Sequence, residues 1–150
     1  MRFAPSLFLV LSLLLPFAAP TQAALGGNEN SIAADQTQMN ATQHTSTASQ
    51  YSLHELQEAS GTVVREYVSS QGRVFAISWK GPVLPDLQQL MGSSFGDYAA
   101  AVNSKAAGGG PLQIKLPGLV VQSGGRMRAF VGYAYIPQLM PAGVAIDDIQ

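Results

Sequence analysis

The chain has 150 residues, with 8 basic and 9 acidic side chains and a formal charge of −1, a size that suits one ordinary domain. Its few Lys and Arg are scattered, with no basic stripe, which argues against nucleic acid as a partner. Cysteine is absent, so disulfides, thiolate chemistry and a lipidated cysteine are all excluded, and the core must hold the fold unaided.

The first element reads as an export signal. Met1-Arg2 supplies a positive start, Phe3 to Leu15 an apolar run broken only by Pro5, Ser6 and Ser12, and Thr21-Gln22-Ala23 a small-residue cleavage pattern. The run is shorter than the roughly 20 residues that a membrane span needs. The expectation is a signal peptide over residues 1–23, cleaved near Ala23, and a periplasmic or secreted protein with no membrane span left. Loss of Arg2 leaves seven basic residues against nine acidic ones, a net charge of −2 with both histidines neutral.

Residues 24–50 are rich in Asn, Gln, Ser and Thr and hold no aromatic residue, so they are expected to form a polar, largely flexible segment. One local exception stands out: Ser31 is placed to cap a short helix over 32–39 that buries Ile32 and Met39.

From Tyr51 the texture changes to short runs of Val, Tyr, Phe and Ile bounded by Gly and Ser, which predicts strands over 47–57, 62–69 and 73–80. A three-residue loop at Ala59-Ser60-Gly61 sets Leu53 opposite Tyr67, His54 opposite Glu66 and Glu55 opposite Arg65, whereas a two-residue turn would confront Glu55 with Glu66. Ser70-Gln71-Gly72 makes the next loop, with Gly72 in the left-handed position and Tyr67 facing Phe75. Strict alternation then puts Tyr51, Leu53, Val63, Tyr67, Phe75, Ile77 and Trp79 on one face, with His54, Glu66, Val74 and Ser78 on the other, wetter one.

Pro85, Asp86 and Gly92 bracket a helix over the apolar positions Leu87, Leu90 and Met91, and Phe95, Tyr98, Ala99 and Val102 continue helical spacing up to the flexible connector Gly108-Gly109-Gly110. These helices are expected to cover the apolar face of the sheet. Leu112 to Leu116 and Leu119 to Ser123 read as strands, followed by a Gly124-Gly125 turn and a long strand from Arg126 to Tyr135. The tail after Pro141 is expected along a sheet edge. Residues 51–150 thus make a single α+β domain, an antiparallel sheet of about five strands with one or two helices on one face.

The chemistry-bearing residues are sparse. His44 sits in the polar segment, His54 stands alone on a strand, and no His, Asp or Glu cluster has metal-ligand spacing, so neither metal nor cofactor is expected. The strained-serine pattern of the serine hydrolases is missing, Ser123 reads as part of a hairpin tip, and Asp147-Asp148 falls near the end of the chain. His54 and Glu66 are the pair on which a small hydrolase or ligand-binding enzyme would have to be built. Arg126, Arg128, Tyr133 and Tyr135 share one strand and have the composition of binding hot spots, set against the simpler reading of packed tyrosines beside solubilising arginines. Absence of a catalytic pattern favours a non-enzymatic binding or accessory module whose partner is an envelope protein or envelope component. The candidate surface is His54, Glu66, Arg126, Arg128, Tyr133 and Tyr135.

The stretches "ALGG", "YSLHELQEASGTVVREYVSSQGRVFAISWKGPVLPDLQQLMG" and "SGGRMRAFVGYAYIPQLMPAGVAIDDIQ" together resemble exported proteobacterial proteins grouped as domain-of-unknown-function family 2844. That resemblance covers essentially the whole mature chain. It implies a bacterial, periplasmic or secreted protein, and it brings no functional residues with it.

Overall fold

A computed structural model describes residues 25–104 and 110–149. The export signal expected over residues 1–23, with its cleavage near Ala23, lies outside the described residues, as do Gly108 and Gly109 of the connector. The helices are α1 (Ile32–Met39), α2 (Leu87–Met91) and α3 (Phe95–Ser104). The strands are β1 (Thr42–Thr47), β2 (Tyr51–Gln57), β3 (Val63–Ser69), β4 (Val74–Gly81), β5 (Leu112–Leu116), β6 (Leu119–Arg126) and β7 (Ala129–Tyr135). All seven join one antiparallel sheet in the order β1-β2-β3-β4-β7-β6-β5, so the expected α+β architecture holds with seven strands in place of about five.

The first two expected loops form as the turn chemistry dictates. Gly61 and Gly72 take φ of 88° and 72°, conformations that cost glycine nothing. Leu53 pairs with Tyr67, His54 with Glu66, and Glu55 with Arg65. Arg65 Nε donates to Glu55 Oε2 at 2.9 Å, with both side chains about one-third exposed.

Four expectations need correction. Residues 25–50 are built into the fold: the short helix expected over 32–39 forms as α1, and beyond it an unexpected strand, β1, pairs with β2 along its full length from Thr42↔Gln57 to Thr47↔Ser52. Its Thr and Ser residues form an edge strand, where polar side chains are tolerated because one flank meets solvent. Second, a β-bulge between Tyr67 and Val68 puts both Phe75 and Ala76 on the Tyr67 side, with Tyr67 paired to Ala76. Ile77 and Trp79 therefore turn to the opposite face, with His54 and Glu66. Third, the last hairpin turns at Met127-Arg128, where Arg128 has φ of 65°, and Gly124-Gly125 stay inside β6. A Cβ on Gly125 would lie 2.2 Å from the Ala129 carbonyl oxygen, so that glycine marks a close approach of backbone. Fourth, the C-terminal tail folds over a sheet face instead of along an edge, burying Ile149 completely against Tyr67, Phe75, Ala76 and Tyr135.

The two faces consequently have separate cores. On the first, α1, α2 and α3 pack over Leu56, Val64, Ile77, Trp79, Val121 and Ala134, with Ile32, Leu90 and Met91 supplying the helix side. Each such side chain contributes about 1.5–3 kcal/mol by leaving water. Leu25 completes that core at 1% exposure, its N–H donating to the Leu90 carbonyl at 2.8 Å. On the second face the tail covers only part of the sheet. The uncovered part, over β3, β4, β7 and β6, is where the surface becomes concave.

Candidate functional site

Pairing register fixes what the second face presents. His44, Glu55, Arg65, Ser78, Tyr133, Gln122 and Gln113 stand side by side, one from each strand, as a polar row crossing all seven strands. At about 4.8 Å per strand that row is nearly 30 Å long. On one side of it lies the apolar row Leu53, Tyr67, Ala76, Tyr135 and Val120, packed with the tail. On the other side Val63, Lys80, Val131 and Gly124 form an uncovered row, and Val131 is 49% exposed.

A depression of about 390 Å³ follows the polar and uncovered rows, with Arg65, Ser78, Lys80, Gly124, Val131 and Tyr133 among its walls. Lacking a side chain, Gly124 leaves the wall open toward Pro111. A second depression of about 500 Å³ shares Lys80 and Val131 with the first and extends it to Arg128 and Phe130. Three cations line the combined trough, and no carboxylate does. Among the described residues, Lys80, Arg126 and Arg128 take part in no ion pair, and only Arg65 is matched, by Glu55.

Tyr133 is the aromatic wall. Its ring lies nearly parallel to Tyr135 with centroids 6.3 Å apart, and its hydroxyl donates to Gln122 Oε1 at 2.9 Å. Burial, then the neighbouring Tyr135 and Asp147, push its phenol above the usual range, so it serves as a neutral hydroxyl. The trough floor holds the buried Ser78 hydroxyl, which lies beside the Tyr67 phenol.

The six sequence candidates divide into three places. Tyr133 and Tyr135 lie together on the second face, Arg126 and Arg128 at the exposed β6–β7 hairpin beside it, and His54 and Glu66 on the first face beneath the helices. The wet-face placement of His54 and Glu66 is overturned, since they are 6% and 1% exposed. The helical segment that seals Glu66 also brings Asp35, and α2 brings Gln89, whose amide donates to Asp35 Oδ1 at 2.5 Å. Burial above all pushes the Asp35 carboxyl up to about 6, while the hydrogen bonds from Gln89 and Glu66 act against that rise. Burial, then the adjacent Asp35 charge, hold the Glu66 carboxyl well above its ordinary value.

The expected pairing of His54 with Glu66 gives way to other partners. His54 Nε2 lies 3.1 Å from Glu29 Oε1, and its Nδ1 lies 2.9 Å from the Gln43 amide nitrogen and 3.3 Å from Thr45 Oγ1. Since the amide can only donate, Nδ1 is the acceptor and Nε2 carries the proton toward Glu29. This hydroxyl–imidazole–carboxylate chain resembles a nucleophile relay in composition alone. The Gln43 amide, the nearer of the two groups, occupies the lone pair that would accept the Thr45 proton.

Sequence reasoning missed Lys80, Ser78 and Val131, because their meeting depends on long-range pairing of β4 with β7. It also missed Asp35 and Gln89. A signal for Asp35 was present: positions 32, 35 and 39 share one helical face, so a helix that buries Ile32 and Met39 carries Asp35 inward with them.

Among the described residues no group of three or more His, Asp or Glu is placed to hold a metal ion. No helix among them is long and apolar enough to cross a membrane. The family described as a protein of unknown function, DUF2844, matches residues 21–149. No curated protein and no solved structure matches the chain.

Proposed function

The chain belongs to the DUF2844 family, a membership that carries no assigned activity, and from its own surface we propose that it is a non-enzymatic binding module of the bacterial cell envelope, acting in the periplasm or outside the cell. The binding surface is the trough on the second face, with Tyr133, Val131 and Lys80 at its centre and Arg128 at its end. The carrying observation is the row Val63, Lys80, Val131 and Gly124 beside the polar row, where a half-exposed valine and a lysine stand together with neither the tail nor a helix over them. The N-terminal apolar run with its Ala23 cleavage pattern supports the location.

The free strand edges are less suited to the task. β1 is composed of Thr, Gln, His and Ser, and β5 is a five-residue strand between Pro111 and Pro117, both of them features that discourage strand addition. The alternative, a hydrolase built on His54 and Glu66, would need a substrate to reach two side chains packed under α1 and the N-terminal turn.

A photo-crosslinking residue at position 131 in cells of the producing bacterium tests this reading. It is expected to give a discrete adduct that vanishes with Lys80→Glu and is absent when the crosslinker sits at Gln38, on the exposed side of α1. Equal yields from both positions, or none from position 131, would overturn it.

A further inference from the structure

We infer that the ligand of the trough is an anionic glycan segment, one whose sugar rings carry carboxylate or phosphate groups. This rests on the binding-module reading above and gives its site a chemical class.

The first argument is about backbone. Strands β3, β4 and β7, and β6 as far as Ser123, are flanked on both sides, so their N–H and C=O groups are consumed by neighbouring strands, and only the short Gly124–Arg126 end of β6 runs beyond β5. Recognition on this face has to come from side chains. Those available are a tyrosine ring and its hydroxyl, a valine, the Gln122 amide and cations. A pyranose presents the matching set: a flat C–H face for the ring and hydroxyls that both donate and accept.

The second argument is about charge. Arg65, Lys80 and Arg128 line the two lobes, which contain no carboxylate. With Arg65 held by Glu55, a neutral sugar would leave Lys80 and Arg128 unused, whereas an acidic one meets both along its length. The nearest acids flank the site. Glu55 is taken up by Arg65, and Asp147 sits close enough to act on the Tyr133 phenol. Asp147 therefore opposes the ligand.

The third argument is shape. Two lobes joined at Lys80 and Val131 make an elongated site suited to two or more linked rings.

The test uses the full mature protein with three probes: tetragalacturonate, neutral maltotetraose and polyglutamate. Calorimetry is the readout of binding. Tetragalacturonate is expected to bind saturably and to weaken as salt is added. Lys80→Ala should weaken it about tenfold, the scale of one lost charge-assisted contact. Tyr133→Ala should weaken it by a similar factor, Tyr133→Phe should leave binding nearly intact, and Asp147→Asn should tighten it. Maltotetraose binding as well as the uronate would overturn the inference, because charge would then have no part. Polyglutamate binding equally, with Tyr133→Ala indifferent, would assign the site to acidic peptide and also overturn it. If no probe binds while the position-131 crosslink persists, the glycan class fails and the module stands; if the crosslink fails too, both fall.

Discussion

Asp35 and Glu66 meet carboxyl to carboxyl beneath α1, each about 1% exposed, and hydrogen bond to one another. Asp35 Oδ2 and Glu66 Oε2 find no donor among the other buried groups, so the hydrogen between them is the proton that Glu66 retains. Gln89 holds the other Asp35 oxygen. Among the described residues no Lys or Arg is buried with them; His54, paired with Glu66 across the β2–β3 ladder, turns its ring toward Glu29 and Gln43. The pair is thus stable only while at least one proton is present.

Stability should accordingly fall as pH rises. Both carboxyls bind protons more tightly folded than unfolded, so the folded state holds more protons over the window and the slope of unfolding free energy with pH is negative. For Asp35 the window opens near its ordinary 3.8 and runs to about 6, and Glu66 extends the loss to higher pH. Each group contributes at most about 1.4 kcal/mol per pH unit. Glu66→Gln keeps a donor toward Asp35 without an ionisable proton, so urea titrations from pH 4 to 9 should show a flatter profile and greater stability than the parent at the alkaline end. An unchanged profile would refute the shared proton.

Gly132 faces Trp79 across the β4–β7 pair, and a Cβ there would sit 2.4 Å from the indole ring and 2.7 Å from the Gln122 carbonyl oxygen. Neither neighbour can move cheaply, because the indole is 1% exposed in the helix-covered core and the carbonyl belongs to the adjacent strand. Gly132→Ala should cost about 1–3 kcal/mol, as overpacking does, and should shift Trp79 emission. Gly118→Ala, with nothing within 4 Å of its Cβ position, is the control expected to change stability little.

Much of this arrangement could be read from residue order. Gly61 and Gly72 set their loops, and opposite charge fixed the pairing of Glu55 with Arg65, since each depends on neighbours close in sequence. Asp86 marks the start of α2, where its side chain accepts from the N–H groups of Gln88 and Gln89. The bulge at Phe75 and Ala76 was illegible, because both residues are apolar and either can pack where the other does; every face assignment beyond it then inverted. The trough is harder still to foresee, because Lys80, Val131 and Gly124 stand far apart in sequence and meet only through the β4–β7–β6 pairing.

The C-terminal tail acts as the lid of the second core. Ile149 is fully buried among Tyr67, Phe75, Ala76 and Tyr135, with Leu139, Met140 and Val144 beside it. Ile149→Ala should cost about 2–5 kcal/mol, the range for deleting a buried isoleucine side chain, measured by urea unfolding of the full chain. Because the tail covers the rows beside the trough and leaves Val131 untouched, crosslinking from position 131 should persist in this variant under conditions where it stays folded.

Under the proposed export, Leu25 ties leader cleavage to folding. The expected cleavage near Ala23 lies only a residue or two before a side chain that is 1% exposed, whose N–H bonds to Leu90 while the next N–H bonds to Val74. A protein released by cleavage after Ala23 or Ala24 therefore begins almost at its first core residue, which leaves no slack between leader and domain. Mass spectrometry of the exported protein should find Ala24 or Leu25 at its N-terminus. Leu25→Ala should lower stability by about 2–5 kcal/mol through the cavity it leaves beside Leu90 and Ile32. A mature N-terminus beyond Leu25 would remove a core side chain together with its backbone bond to Leu90, so finding one would refute the cleavage assignment and this account of the first core.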